Sequence, residues 1–169
     1  MKPPANPAAL AASIIFGAAR VALGILWLHE GIFKYTAHFG RADILLVADS
    51  AKSNSRVTEY FGAFAGRILG SWPGLFGFVI PLLETALGVG LIIGALSLPA
   101  ALASLLTLMT YWSSDQLIAQ YPIMGILSAV VIAWSAWAAR LSATSLVVAV
   151  LNRKHLAAQL ISGPVRRWL

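Results

Sequence analysis

The chain has 169 residues, of which 59% are apolar and 11% charged, with a mean hydropathy of +0.82. A soluble globule carries about 25% charged residues, so this chain cannot cover a globular surface with charge and its solvent is largely hydrocarbon. That excludes a soluble enzyme, a disordered tail and a free nucleic-acid-binding module. The net charge of +6 gathers at segment ends, which reads as membrane topology and contact with anionic lipid, with no nucleic acid partner. Without a cysteine the chain alone builds no disulfide, thiolate nucleophile or cysteine-ligated metal centre.

A spanning helix needs about 20 mainly apolar residues. The first candidate covers about 8–33, interrupted by Arg20 and the pair His29-Glu30. The second covers about 73–96, with Glu84 as its one charge. The third, about 98–112, is short and begins beside Pro99, a residue suited to a first helical turn. The fourth, about 122–139, stops at Arg140. The expected fold is therefore all-α: one integral membrane domain over 1–169, a four-helix bundle with both termini on one side.

A cleaved signal peptide is the rival reading of the first segment, given Lys2 and the small residues Gly17-Ala18-Ala19. Apolar sequence continues through Trp27, where a short hydrophobic core would have stopped, and favours an uncleaved span. The terminal side holds Lys2, Arg140, Arg153, Lys154, Arg166 and Arg167; the other side holds Lys34, Arg41, Lys52, Arg56 and Arg67. The dense basic cluster after the fourth span favours termini in the cytoplasm.

In the outer loop, Val57, Tyr60, Phe61, Phe64 and Ile68 recur at helical spacing between Ser55 and Gly70, with Arg56, Glu59 and Arg67 off the stripe. This predicts an amphipathic helix lying on the outer surface. Gly62, Gly66, Gly70 and Gly74 recur every fourth position and offer an edge for close helix packing; a flexible glycine-rich connector is the alternative. In the tail, the apolar run 146–151 is too short to span and leads into Asn152-Arg153-Lys154-His155. Leu156, Leu160 and Ile161 continue a helical face until Gly163-Pro164, which predicts a basic amphipathic helix on the inner leaflet.

Arg20 lies about twelve residues into the first span and Glu84 about eleven into the second. At 1.5 Å per residue, antiparallel spans place both near the middle of a core about 30 Å thick. A lone charge there costs at least about 2.5 kcal/mol, so the expectation is an Arg20–Glu84 pair inside the bundle, bidentate on the carboxylate. Gly17, Arg20, Gly24, Trp27, Gly31 and Lys34 form one helical stripe, and Gly77, Pro81, Glu84, Gly88 and Leu91 form a matching one. A pair of this kind can also serve only to fix helix register.

A second group gathers at the outer interface: His29, Glu30 and Lys34 end the first span, Trp72 begins the second, Tyr111, Trp112 and Asp115 end the third, and Tyr121 precedes the fourth. Aromatic residues at that depth form an interfacial belt whatever the function. A histidine, a carboxylate and a lysine beside an apolar cavity can bind and protonate a small redox-active head group; alternatively they simply reach for water. His29 is the one histidine inside a span, His38 and His155 lying in loop and tail, so the chain alone holds no bis-histidine haem. No phosphate loop, nucleophile elbow or metal-site motif is present, and no metal is expected.

The run Arg20-Val-Ala-Leu-Gly24-Ile-Leu-Trp27-Leu-His-Glu-Gly31-Ile-Phe-Lys34 resembles the first-helix pattern of the DoxX/DoxD membrane proteins. In the second span, Glu84-Thr-Ala-Leu-Gly88-Val-Gly-Leu-Ile-Ile-Gly94 is similar to that family's second pattern. The long loop resembles the DoxD-like branch, the large subunit of thiosulfate:quinone oxidoreductase. The resemblance implies a four-helix protein of the prokaryotic plasma membrane, tied to quinone-linked redox chemistry or a larger oxidoreductase assembly. Its shared positions are Arg20, Gly24, Gly31, Lys34, Glu84 and Gly88. One departure is that Ala139-Arg140 leads into Leu141-Ser-Ala-Thr-Ser145 without the acidic residue that the family often has there.

Three functions follow as expectations. The first is a non-autonomous redox subunit holding quinone in the outer half of the bundle. Trp27 and Trp112 wall the site, Arg20, Lys34 and Glu84 brace it, and His29, Glu30 and Asp115 exchange protons with the outside. Electrons then come from a partner, a membrane or peripheral redox subunit. The second is an accessory subunit without chemistry, packed on a respiratory or photosynthetic complex. The third is a small-solute or proton carrier, drawn from the buried charges but lacking an evident inverted repeat.

Overall fold

The computed structural model describes residues 6–153, and these fold into helices joined by turns, with no strand among them. In chain order they are α1 (Pro7–Thr36), α2 (Arg41–Ser50), α3 (Glu59–Phe64), α4 (Pro73–Ile93), α5 (Ser97–Ser113), α6 (Tyr121–Ala133), α7 (Ser135–Ala138) and α8 (Ala143–Arg153). A π-helical segment, Ala65–Leu69, continues α3 directly. Helices α1 and α4 are long and apolar enough to cross a membrane; α5 has 17 residues and α6 has 13.

Local chemistry sets the ends. The Asn6 side chain accepts a hydrogen bond from the Ala8 amide at 3.1 Å, and Pro7 occupies the first turn of α1, where a missing N–H costs nothing. Pro73 and Pro122 begin α4 and α6 in the same way. Helix α4 ends at Ile93 because Gly94 turns left-handed, with φ of 75°. The second span is thus three residues shorter than its apolar run, and α5 starts at Ser97, ahead of Pro99. The fourth apolar segment is broken at Trp134, whose indole stacks on Phe16 with ring centroids 5.0 Å apart.

Helix α1 packs along α4, and α5 and α6 pack against each other, with α6 and α7 closing on α1. The central core is built from Leu23, Trp27, Leu87, Leu91, Leu108 and Met124, contributed by all four long helices. A second core, of Ile44, Ala48, Phe61, Ala65 and Leu69, lies in the segment between α1 and α4. Helix α2 in that segment was not expected: Ile44 and Ala48 supply its buried face, and its start is fixed by the Gly40 amide donating to Asp43 Oδ2 at 2.8 Å.

The following helix differs from expectation in its facing. It buries Phe61, Ala65 and Leu69, whereas Tyr60 and Ile68 are exposed. The glycine ladder makes no close helix contact, because a Cβ at Gly66 or Gly74 would meet nothing within 4 Å. Real close approach occurs elsewhere: a Cβ on Gly77 would stand 2.6 Å from the Gly40 carbonyl carbon, so the segment entering α2 rests on α4 backbone. Helix α8 begins against the α4–α5 turn, where the Thr144 hydroxyl donates to the Gly94 carbonyl at 2.9 Å and accepts from the Leu96 amide at 3.2 Å. The remainder of the tail face, from Lys154 through Leu156, Leu160, Ile161 and Gly163-Pro164, lies outside the described residues, as does Lys2.

Candidate functional site

The site is set by how α1 and α4 meet. A Cβ on Gly24 would stand 2.8 Å from the Ile92 amide nitrogen and 2.9 Å from the Gly88 carbonyl oxygen; one on Gly88 would stand 2.6 Å from the Leu28 nitrogen. Nearer the other end, a Cβ on Gly31 would lie 2.9 Å from the Thr85 nitrogen and 3.2 Å from the Pro81 oxygen. Both glycine stripes therefore face each other in backbone contact. In this antiparallel register Glu30 comes level with Glu84, and Arg20 comes level with Gly94.

The expected Arg20–Glu84 pair does not form. Arg20 Nε donates to the Ala138 carbonyl at 3.1 Å, Nη2 to Leu141 at 3.0 Å, and Nη1 to Leu91 and, at 3.2 Å, to Ile92. Although its residue is only 2% exposed, it pairs with no carboxylate among the described residues. The carbonyls of Leu91, Ile92 and Ala138 belong to the last turns of α4 and α7, where unpaired C=O groups and the negative end of the helix dipole gather, and that of Leu141 to the turn after α7. The guanidinium caps those ends, and its planar fork of five donors suits several carbonyls at once.

Glu84 has a different cation. Lys34 Nζ lies 2.7 Å from Glu84 Oε1 and 3.4 Å from Glu30 Oε2, and the Tyr111 hydroxyl donates to Glu84 Oε1 at 2.5 Å. The Gln120 amide donates to Glu30 Oε1. Tyr121 stacks on Tyr111 with centroids 5.5 Å apart and completes the group. Glu84 is fully buried and Glu30 is 4% exposed; Glu84 Oε2 has no hydrogen-bond partner. Two carboxylates thus share one ammonium in the interior of the helix assembly.

An apolar cavity of about 290 Å³ adjoins this cluster, at the small end of the roughly 300–1,000 Å³ usual for ligand pockets. The second core helices cover it: Phe39, Phe61, Phe64 and Phe76 give aromatic walls, and Leu83 and Leu106 reach it from α4 and α5. Lys34, Tyr111 and Gln116 supply its polar lining, with Thr107, Thr110 and Ser114. Lys34 Nζ sits 5.8 Å from the Phe39 ring centre and 5.5 Å from that of Tyr111. Because its two carboxylate contacts use two of three ammonium donors, one N–H remains for a guest.

Of the residues expected to act, Glu30, Lys34 and Glu84 come together. Trp27 is fully buried beside them: its indole donates to Ser104 Oγ at 2.7 Å, and Ser104 bonds Ser128 at 2.8 Å, tying α1 to α5 and α6. It is a core anchor and does not line the cavity. Trp112 is not a wall either, being 63% exposed on the outside of α5. His29, next to Glu30 in sequence, projects from the opposite side of α1 and is exposed. Asp115 stands outside the cluster, bound to Arg56 Nε at 3.1 Å and to the Asn54 amide at 2.9 Å, where it fastens the loop before α3 to the end of α5.

Tyr111 and Tyr121 read from sequence as belt aromatics, yet both are only 8% exposed and hold the charge cluster. Ser104, Ser128, Gln116 and Gln120 were missed. A signal existed for the serines, since each is flanked on both sides by apolar residues in a mainly apolar helix, and buried hydroxyls seek partners. No family model matches the chain, and no curated protein and no solved structure matches it.

Proposed function

We propose that the chain is a four-span integral membrane protein, similar to the DoxX/DoxD proteins, and that it serves as a subunit of a quinone-linked oxidoreductase system. The spans are α1, α4, α5 and the α6–α7 pair. Large apolar side chains exposed on each long helix support this: Ile25 and Ile32 on α1, Phe78 on α4, Leu106 on α5 and Ile126 on α6. So many exposed apolar groups suit lipid contact.

The observation that carries the redox reading is the cavity, with aromatic walls for a planar ring and a spare Lys34 N–H for a carbonyl oxygen. The Gln116 amide, at the same cavity, supplies a second polar contact for the far side of a ring. Quinone orientation by a few polar groups in an apolar pocket follows the usual design of ligand sites. Electrons arrive from a partner subunit, and the exposed faces of the spans meet lipid or that partner.

The test is equilibrium binding of a short-chain quinone to the detergent-purified protein. Lys34→Met is expected to weaken binding by about tenfold or more, equal to about 1.4 kcal/mol. His29→Ala, on the exposed side of α1, leaves it unchanged. Equal affinity in wild type and Lys34→Met, or no saturable binding at all, removes the quinone site and leaves a packing subunit of a larger complex as the reading.

A further inference from the structure

The charge cluster does more than a quinone site requires. A lysine alone offers a donor to a head group; here it is joined to two buried carboxylates and, through them, to the turn between α5 and α6. The contacts form a continuous row. Tyr111, in the cavity wall, donates to Glu84 Oε1 at 2.5 Å, and Lys34, in the same wall, bridges Glu84 at 2.7 Å and Glu30 at 3.4 Å. Glu30 then accepts from Gln120, which is half-buried beside the exposed Leu117 and Ile118.

Two carboxylates against one ammonium leave the row one negative charge in excess, in surroundings where an uncompensated charge is strongly disfavoured. One added positive charge makes the row neutral, and Glu84 Oε2, buried and without a hydrogen-bond partner, has room to take it. The donor set points to a proton as that charge. Among the described residues no third histidine or acidic side chain joins Glu30 and Glu84, while hard metal cations want six or more oxygens. The titratable groups that face the pair are Lys34 on its own helix side, Tyr111 on α5 and Tyr121 on α6.

We propose that Glu84 and Glu30 together hold one exchangeable proton, that Lys34 passes it between them, and that the half-buried Gln120, which only donates to Glu30, marks the end at which the proton exchanges with water. In each transfer the Lys34 ammonium gives a proton to one carboxylate and takes one from the other carboxyl group, so Lys34 ends as it began, while the Gln120 amide keeps its protons and only holds Glu30 in place. The site stands on the cluster's own geometry; its use, to protonate or deprotonate an oxygen of a bound head group, rests on the quinone reading.

Infrared spectroscopy of the full chain in lipid nanodiscs tests it. The expected result is a protonated-carboxyl C=O band that shifts in D2O and is lost in Glu84→Gln. In Gln120→Leu, which puts an apolar side chain at the end open to water, the band persists but exchanges with D2O slower by about tenfold or more. Should Glu84→Gln fail to fold, Glu30→Gln and Gln120→Leu decide the matter, since both keep the α1–α4 contact. No such band, a band indifferent to both glutamate variants, or exchange in Gln120→Leu as fast as in wild type overturns the proposal. Short-chain quinone binding on the same samples separates the two ideas: a normal band without quinone binding overturns the cavity reading alone, and quinone binding without the band overturns the proton site alone.

Discussion

Arg20 and Glu84 are each nearly inaccessible to solvent, but they answer to different partners. The sequence placed them at one depth because depth was counted from the ends of the apolar runs. Helix α1 is 30 residues long, about 45 Å at 1.5 Å per residue, so its first turns overshoot a core of about 30 Å and the count from its start is too deep. The glycine register settles the level instead, bringing Arg20 to Gly94, about ten residues and some 15 Å along the axis from Glu84. A double-mutant cycle tests this at residue scale. Lys34→Met and Glu84→Gln are expected to show strong coupling in detergent thermal unfolding: Lys34→Met costs about 3–5 kcal/mol because it leaves the buried carboxylates without their cation, whereas Glu84→Gln costs less because Glu30 remains paired with Lys34. Arg20→Met with Glu84→Gln is expected to add within about 0.5 kcal/mol. Arg20→Met by itself orphans the buried carbonyls of Leu91 and Ala138, at about 1–3 kcal/mol for each group left unsatisfied. Strong Arg20–Glu84 coupling would contradict the register.

Among the elements, the α1 and α4 stripes were legible because helical period alone specifies which residues share a face. The seven residues that α4 buries include every member of its expected stripe. Partner identity was less legible, since small residues at every fourth position permit close packing without saying against what. Gly24 and Gly88 meet backbone, while Gly66 meets open space. The two kinds of glycine respond oppositely to a methyl group. Gly88→Ala drives a Cβ to within 2.6 Å of the Leu28 nitrogen, a main-chain atom that cannot swing aside, so a loss of about 1–3 kcal/mol is expected from overpacking. Gly66→Ala adds a methyl in free space on a helical segment and is expected to raise stability by about 0.4–1 kcal/mol, by restricting the unfolded chain. Thermal melts that rank the two variants the other way would show that α1 and α4 do not touch along this seam. Helix α2 escaped notice for a related reason. Its ten residues carry one short apolar patch, too brief for a period to stand out, and its burial against α3 and α4 is a tertiary event.

For the molecule as a whole, composition announced an apolar solvent, and the distribution of exposed side chains gives that statement a direction. Apolar groups lie bare on the outer faces of α1, α4, α5 and α6, while the buried polar residues, Glu30, Glu84, Ser104 and Ser128, point inward. This is the inverse of a soluble bundle and fits charges that are tolerated only when they face the interior. In the proposed four-span arrangement the α1–α4 connection and the α5–α6 turn share one side, with the α4–α5 turn and the start of α8 on the other. The chain has no cysteine, so single cysteines report position without background. Lys52→Cys, in the connection after α2, is expected to react with a membrane-impermeant maleimide on intact cells. Arg140→Cys, after α7, is expected to react only once the membrane is opened. That orientation is the one the Lys and Arg distribution leads one to expect, and its reversal would move the cavity and the Gln120 end of the charge row to the inner face without altering either. Labelling of both positions from the same side would be a different matter: an even number of crossings would separate them, so at least one of α4, α5 and the α6–α7 pair would not span, and its bare apolar face would need a protein partner in place of lipid.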